Sequence, residues 1–215
     1  MGELRLWAID VETVRQLTPA APMLAGRLRS IAAQNFRVPE VEGQSVGLLS
    51  KLGPLVRTPH HAPRLPPGMP SHNDVEHLVA GRFVTPDQLP KAWTILTVWL
   101  DDLAWGGAQI SIDNLDETEL DLARAGLPAE YGIRRLLSRD AELRVRPLPG
   151  TKVGHATHEH VCATADQLAA VVDTVEHRSS VVAGQVFDHL RRYRGWAAEA
   201  RAVGRPDPDL FAVLS

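Results

Sequence analysis

Two short apolar segments, residues 4–9 and 210–214, lie near opposite ends of the chain, and much of the sequence between them repeats its apolar residues every three or four positions. A strand cannot bury its backbone groups alone, so each end needs a sheet partner, and helices remain to cover that sheet. The fold expected is α+β, with several helices packed on a small mixed sheet that includes both the N-terminal and the C-terminal strands. At 215 residues the chain can build one such core and is short of the length at which cores divide, so residues 1–215 read as a single domain.

The first strand sets Leu4, Leu6 and Ala8 against Arg5, Trp7 and Ile9, which gives it one wetter face. Asp10 follows as a cap for a helical turn carrying Val11, Val14 and Leu17. Residues 22–36 read as a helix with Met23, Leu24, Leu28, Ile31 and Ala32 in one stripe. Pro59, Pro63, Pro66, Pro67 and Pro70 with Gly68 make residues 58–70 a proline-rich loop, because each proline removes a donor and fixes φ. The best-defined helix starts at the Thr85-Pro86-Asp87-Gln88 cap, or near Leu89 because Pro90 opposes an earlier carbonyl. It runs through Ala92, Trp93, Leu96, Leu100 and Leu103 to a Gly106-Gly107 stop, with Trp99 off the centre of the stripe.

Ile110 and Ile112 mark a short strand, and a capping box at residues 116–119 and then Pro128 each open a helix. Between residues 142 and 163 the period falls to two, which reads as a hairpin about a turn at 147–150. Residues 164–167 form another capping box before a helix, and a last helical stretch from about Val181 breaks at Gly195.

His155, His158, His160 and Cys162 offer the imidazole and thiolate donors that zinc selects. On a strand, His158, His160 and Cys162 would project from one face about 6–7 Å apart and meet at one ion only if the strand bends. Neither His-Glu-x-x-His nor a Cys-x-x-Cys pair accompanies them, and half-exposed strand residues explain them without a metal. His60, His61, His72 and His77 form a second histidine group beside the proline-rich loop and read as solvated loop residues. Glycine-rich phosphate loops and the Gly-x-Ser-x-Gly elbow are absent, which disfavours the common nucleotide and hydrolase sites. No cofactor is expected. The alternative is zinc on His158, His160 and Cys162, in a metal-dependent enzyme or a small-molecule binder.

Charge is spread unevenly. A net charge of −3 gives no field to hold nucleic acid or an anionic membrane, and no run of apolar residues reaches membrane-spanning length. One cysteine and an opening without a basic, apolar leader fit a reducing cytoplasm. Residues 101–122 hold Asp101, Asp102, Asp113, Asp116, Glu117, Glu119 and Asp121 with no lysine or arginine, whereas residues 191–205 hold Arg191, Arg192, Arg194, Arg201 and Arg205. The acidic segment is either a solvated helix face or a surface for a basic protein partner, since complementary fields speed and orient association.

The opening strand followed by Asp10-Val11-Glu12 resembles the start of the YfbM-like family of uncharacterised bacterial proteins. Residues 187–202, with Tyr193, Trp196 and an Ala-Ala-Glu-Ala run leading into the last strand, are similar to that family's end, and the Thr85-capped helix to its middle. Residues 37–70 depart from it, and the alanine, arginine and proline usage resembles that of high-GC actinobacteria. The resemblance implies an α+β fold with both termini in one sheet and a role of the immunity kind against a secreted toxin; it assigns no catalytic residues. The function expected is a non-catalytic, cytoplasmic interaction protein that meets a basic partner through its acidic surface.

Overall fold

The computed structural model describes residues 2–36, 68–175 and 177–215. His60, His61 and the proline-rich stretch up to Pro67 lie outside the described residues. The elements run β1 (Gly2–Ile9), α1 (Val11–Arg15), α2 (Pro22–Asn35), α3 (His72–Val79), α4 (Leu89–Leu103), β2 (Gly106–Ile112) and α5 (Leu115–Arg124). Two 3-10 turns follow, Ala129–Tyr131 and Ile133–Leu137. The chain continues through β3 (Lys152–Ala156), α6 (His158–Val171), a 3-10 turn (Val172–Thr174), α7 (His177–Leu190), α8 (Tyr193–Ala202) and β4 (Asp209–Leu214).

The strands form one sheet in the order β2-β1-β4-β3, so the first and last strands are its two central members. Each pairing is antiparallel, where a mixed sheet was expected. Leu4 lies opposite Ile110 on one side and Leu214 on the other, and Leu6 opposite Ala108 and Ala212. Because successive side chains point to opposite faces, this register puts Leu4, Leu6, Ala8, Ile110, Ile112, Ala156, Leu210 and Ala212 on one face. Helices α5, α6 and α7, with Tyr193 of α8, pack there. The opposite face carries Trp7, Ile9 and Phe211 and is covered by α1 to α4 with Ala141 and Val145. The result is a helix–sheet–helix sandwich with two cores, which is why the central strands are apolar on both sides.

Helix α4 starts at Leu89, with Pro90 in its first turn where a missing N–H costs nothing. Thr85 and Gln88 still meet just ahead of it, the Gln88 side chain accepting from the Thr85 backbone N–H at 3.1 Å. Trp99, off the centre of the stripe, is fully buried because α2 packs against α4. Its Nε1 donates to the Leu28 carbonyl at 3.0 Å, and Trp93 Nε1 donates to the Arg146 carbonyl at 2.7 Å, so both buried indoles are satisfied.

Several elements depart from the sequence reading. Met23 is 92% exposed, and Ala25 takes its place in the buried stripe of α2. Gly106 and Gly107 open β2 instead of stopping the helix, which has already ended at Leu103, and Gly106 lies where the Trp196 ring leaves no room for a side chain. Asn114, not Asp116, caps α5, accepting from the N–H groups of Asp116 and Glu117. His72 and His77 lie on α3, which Ser71 and Asp74 cap reciprocally. The late helical break falls at Arg191–Arg192, and Gly195 sits inside α8. The expected hairpin is absent as such: β3 pairs with β4, and His158, Val161 and Ala163 belong to a helix.

Candidate functional site

The seven acidic residues do not share one surface. Asp101 and Asp102 end α4, where Asp101 accepts from Trp7 Nε1 at 2.7 Å and Asp102 from Arg27 at 3.1 Å. Asp121 is buried to 8% exposure, accepting from Ser179 Oγ at 2.6 Å and from Arg124 at 3.3 Å. Glu119 is half-buried and accepts from the Arg134 backbone N–H at 2.6 Å. What remains outward near α5 is Asp113, Asp116 paired with Arg134, and Glu117, beside an exposed Leu120. The basic segment is likewise matched locally: Arg191 pairs with Asp188, Arg194 with Asp166, and Arg201 with Asp207.

The histidine–cysteine group stands on a helix, which changes its geometry. His158 and Cys162 are four residues apart and share a face of α6, with Sγ 3.5 Å from Nε2. His160 lies about 200° around the helix from His158 and stacks on Tyr131, ring centroids 5.8 Å apart. Partial burial lowers the His160 pKa and raises that of the Cys162 thiol. His155 is buried on β3, its backbone N–H bonded to the Arg139 carbonyl at 2.9 Å. The three donors therefore do not converge. Among the described residues no group of three or more His, Cys, Asp or Glu side chains is placed to hold a metal ion.

A different arrangement occupies the sheet face beneath α4. Helices α1 to α4 cover only part of that face, leaving a groove of about 510 Å³. Its floor is Glu3, Arg5 and Trp7 of β1 with Val213 and Ser215, and its walls are Trp93, Thr94, Thr97 and Val98 of α4 with Leu148 and Thr151. That volume falls in the range of small-ligand sites. A neighbouring recess of about 260 Å³ shares Arg5 and Trp7 and reaches Asp101 and Gln109.

The register explains the polar floor. Glu3, Arg5 and Trp7 are alternate residues of β1, and Arg5 lies opposite Gln109. One Glu3 oxygen accepts from Arg5 Nε, and the other accepts from Gln109 Nε2 at 2.7 Å. The Arg5 hydrogen bond holds the Glu3 carboxyl below its usual pKa, so it stays ionised. A carboxylate engaged at both oxygens suits recognition better than proton transfer. Of the acidic residues singled out in the sequence, Asp101 lines the neighbouring recess, which shares Arg5 and Trp7 with this groove. Glu3, Arg5, Gln109 and Trp93 were not assigned to a site from the sequence, although Glu3 and Arg5 on one face of an otherwise apolar strand were a readable signal.

No protein-family model, no curated protein and no solved structure matches the chain.

Proposed function

We propose that this protein is a non-catalytic interaction protein that receives a basic segment of a protein partner in the groove between α4 and the open half of the sheet. The observation that carries this reading is the Glu3–Arg5–Gln109 cluster, with Glu3 and Arg5 in the groove's floor and Gln109 and Asp101 in the adjoining recess. The Glu3 carboxylate in the groove and that of Asp101 in the adjoining recess favour a lysine- or arginine-bearing ligand, and Thr94, Thr97, Thr151 and Ser215 supply neutral hydrogen-bonding groups along the groove. The outer acids of α5, Asp116 and Glu117, steer such a partner without touching it. Neutralisation of a toxin, the role the YfbM-like resemblance implies, is one task for such a surface, and the cytoplasm is where we place it.

The test is a titration of nitrogen-15-labelled protein with lysine- and arginine-bearing hexapeptides, read by chemical-shift mapping. Binding in the groove moves the indole N–H of Trp7 and the side-chain amide of Gln109 first. Shifts confined to α5, or absent throughout, would contradict the reading.

A further inference from the structure

The structure points to a second site on the other side of the sheet. We propose that His158 and Cys162 form a two-point seat for a zinc-class divalent cation, with water filling the remaining positions. This site is independent of the groove.

Three observations meet there. His158 Nδ1 lies 3.2 Å from the Pro208 carbonyl, which can only accept, so Nδ1 carries the proton and Nε2 is the acceptor, its lone pair turned to the Cys162 thiol. A metal-binding histidine is held in this way, its second ring nitrogen donating to a carbonyl that fixes tautomer and ring angle. Nε2 then faces Cys162 Sγ at 3.5 Å. A zinc ion with a Zn–S bond of about 2.3 Å and a Zn–N bond of about 2.05 Å at a tetrahedral angle sets its two donors about 3.5 Å apart. The pair is thus spaced for the cation without movement of either helix turn.

The third observation is the surrounding charge. Asp207 Oδ2 lies 3.9 Å from His158 Nε2, and the Asp207 carboxylate is held by Arg201, whose Nε donates to Oδ1 at 2.7 Å. Engaged in that way, Asp207 is no third ligand, but its charge offsets that of a cation beside it. Behind the pair, the buried Tyr193 ring lies 6.3 Å from the His158 ring and closes the inner side. His160 takes no part, being turned away onto Tyr131.

Binding is a simple exchange. The Cys162 thiol proton leaves to solvent, Sγ and Nε2 each give a lone pair to the cation, and no electron is transferred. Two protein donors leave open positions, so the cation exchanges freely, unlike the closed four-ligand structural sites.

Because Cys162 is the chain's single cysteine, its alkylation rate reports this site alone. Excess zinc should slow modification of the wild-type thiol at least tenfold, and cobalt should give one thiolate-to-metal charge-transfer band per chain. His158→Gln should raise the zinc concentration needed for protection at least about tenfold, in line with the cost of losing even an outer partner of a metal ligand. Cys162→Ser should abolish the band. Unchanged alkylation under excess zinc, or protection that is equal in His158→Gln, overturns the proposal.

Discussion

Asp209 accepts a hydrogen bond from the backbone N–H of His158 at 2.9 Å, so the first turn of α6 is capped by a residue of β4. Its other oxygen accepts from the Val11 N–H at 3.2 Å, at the start of α1. One side chain on the last strand therefore satisfies orphan donors of two helices. Asp209→Ala should lower stability by about 2 kcal/mol, roughly one cap's worth at each helix, as measured by urea unfolding. Asp209→Asn keeps one acceptor and should lose less.

That same contact explains a misreading. Helix α6 has no side-chain cap of its own, and its start is held from 51 residues away, so the local signal at residues 158–163 was an alternation that looked like a strand. The capping box at Thr164 was then taken as the start of a helix already two turns old. By contrast β1, β4 and α4 were legible, since their patterns reflect burial directly: the strands are covered on both faces, and α4 lies between the sheet and α2. The groove was half legible. Glu3 and Arg5 show in the strand's alternation, but their meeting with Gln109 depends on the β1–β2 register, which no local pattern encodes.

Gly154 marks where the 3-10 turn at Ile133–Leu137 crosses β3. A β-carbon there would sit 2.4 Å from the Leu137 carbonyl oxygen, which is backbone and cannot swing aside. Gly154→Ala should destabilise the fold by about 2 kcal/mol, in the range of overpacked positions. Gly195, inside α8 with open space around it, is the control: Gly195→Ala should stabilise by about 0.5–1 kcal/mol. Thermal unfolding of both variants checks the contrast.

His189 is 4% exposed, lies among Tyr193 and Trp196, and its Nε2 has no hydrogen-bond partner. Burial, helped by the nearby Arg192 charge, lowers its pKa to about 4 from the ordinary imidazole value of about 6.5. The unfolded chain thus binds more protons between those values. Stability is fully present above pH 6.5 and falls as the pH drops toward 4, by at most about 3 kcal/mol from this residue. Burial also lowers the pKa values of His155 and His160, which add to the loss in the same direction. Unfolding midpoints measured from pH 7 to pH 4 should decline, and His189→Leu should flatten part of that decline. A profile unchanged by the substitution would place the acid sensitivity elsewhere.

The account rests on the groove as the place of binding, with the outer acids of α5 as a remote field. Affinity for a lysine-rich hexapeptide, measured by calorimetry in two double variants at physiological salt, tests this most directly. Glu3→Gln with Asp101→Asn keeps the hydrogen-bond acceptors while removing charge, and should weaken binding at least about tenfold, as for close, partly desolvated charge pairs. Asp116→Asn with Glu117→Gln should change it less than about twofold, because both side chains are exposed and screened by salt, and Asp116 is already paired with Arg134. A larger loss from the α5 pair, or a peptide that binds neither the wild type nor the variants, contradicts the account.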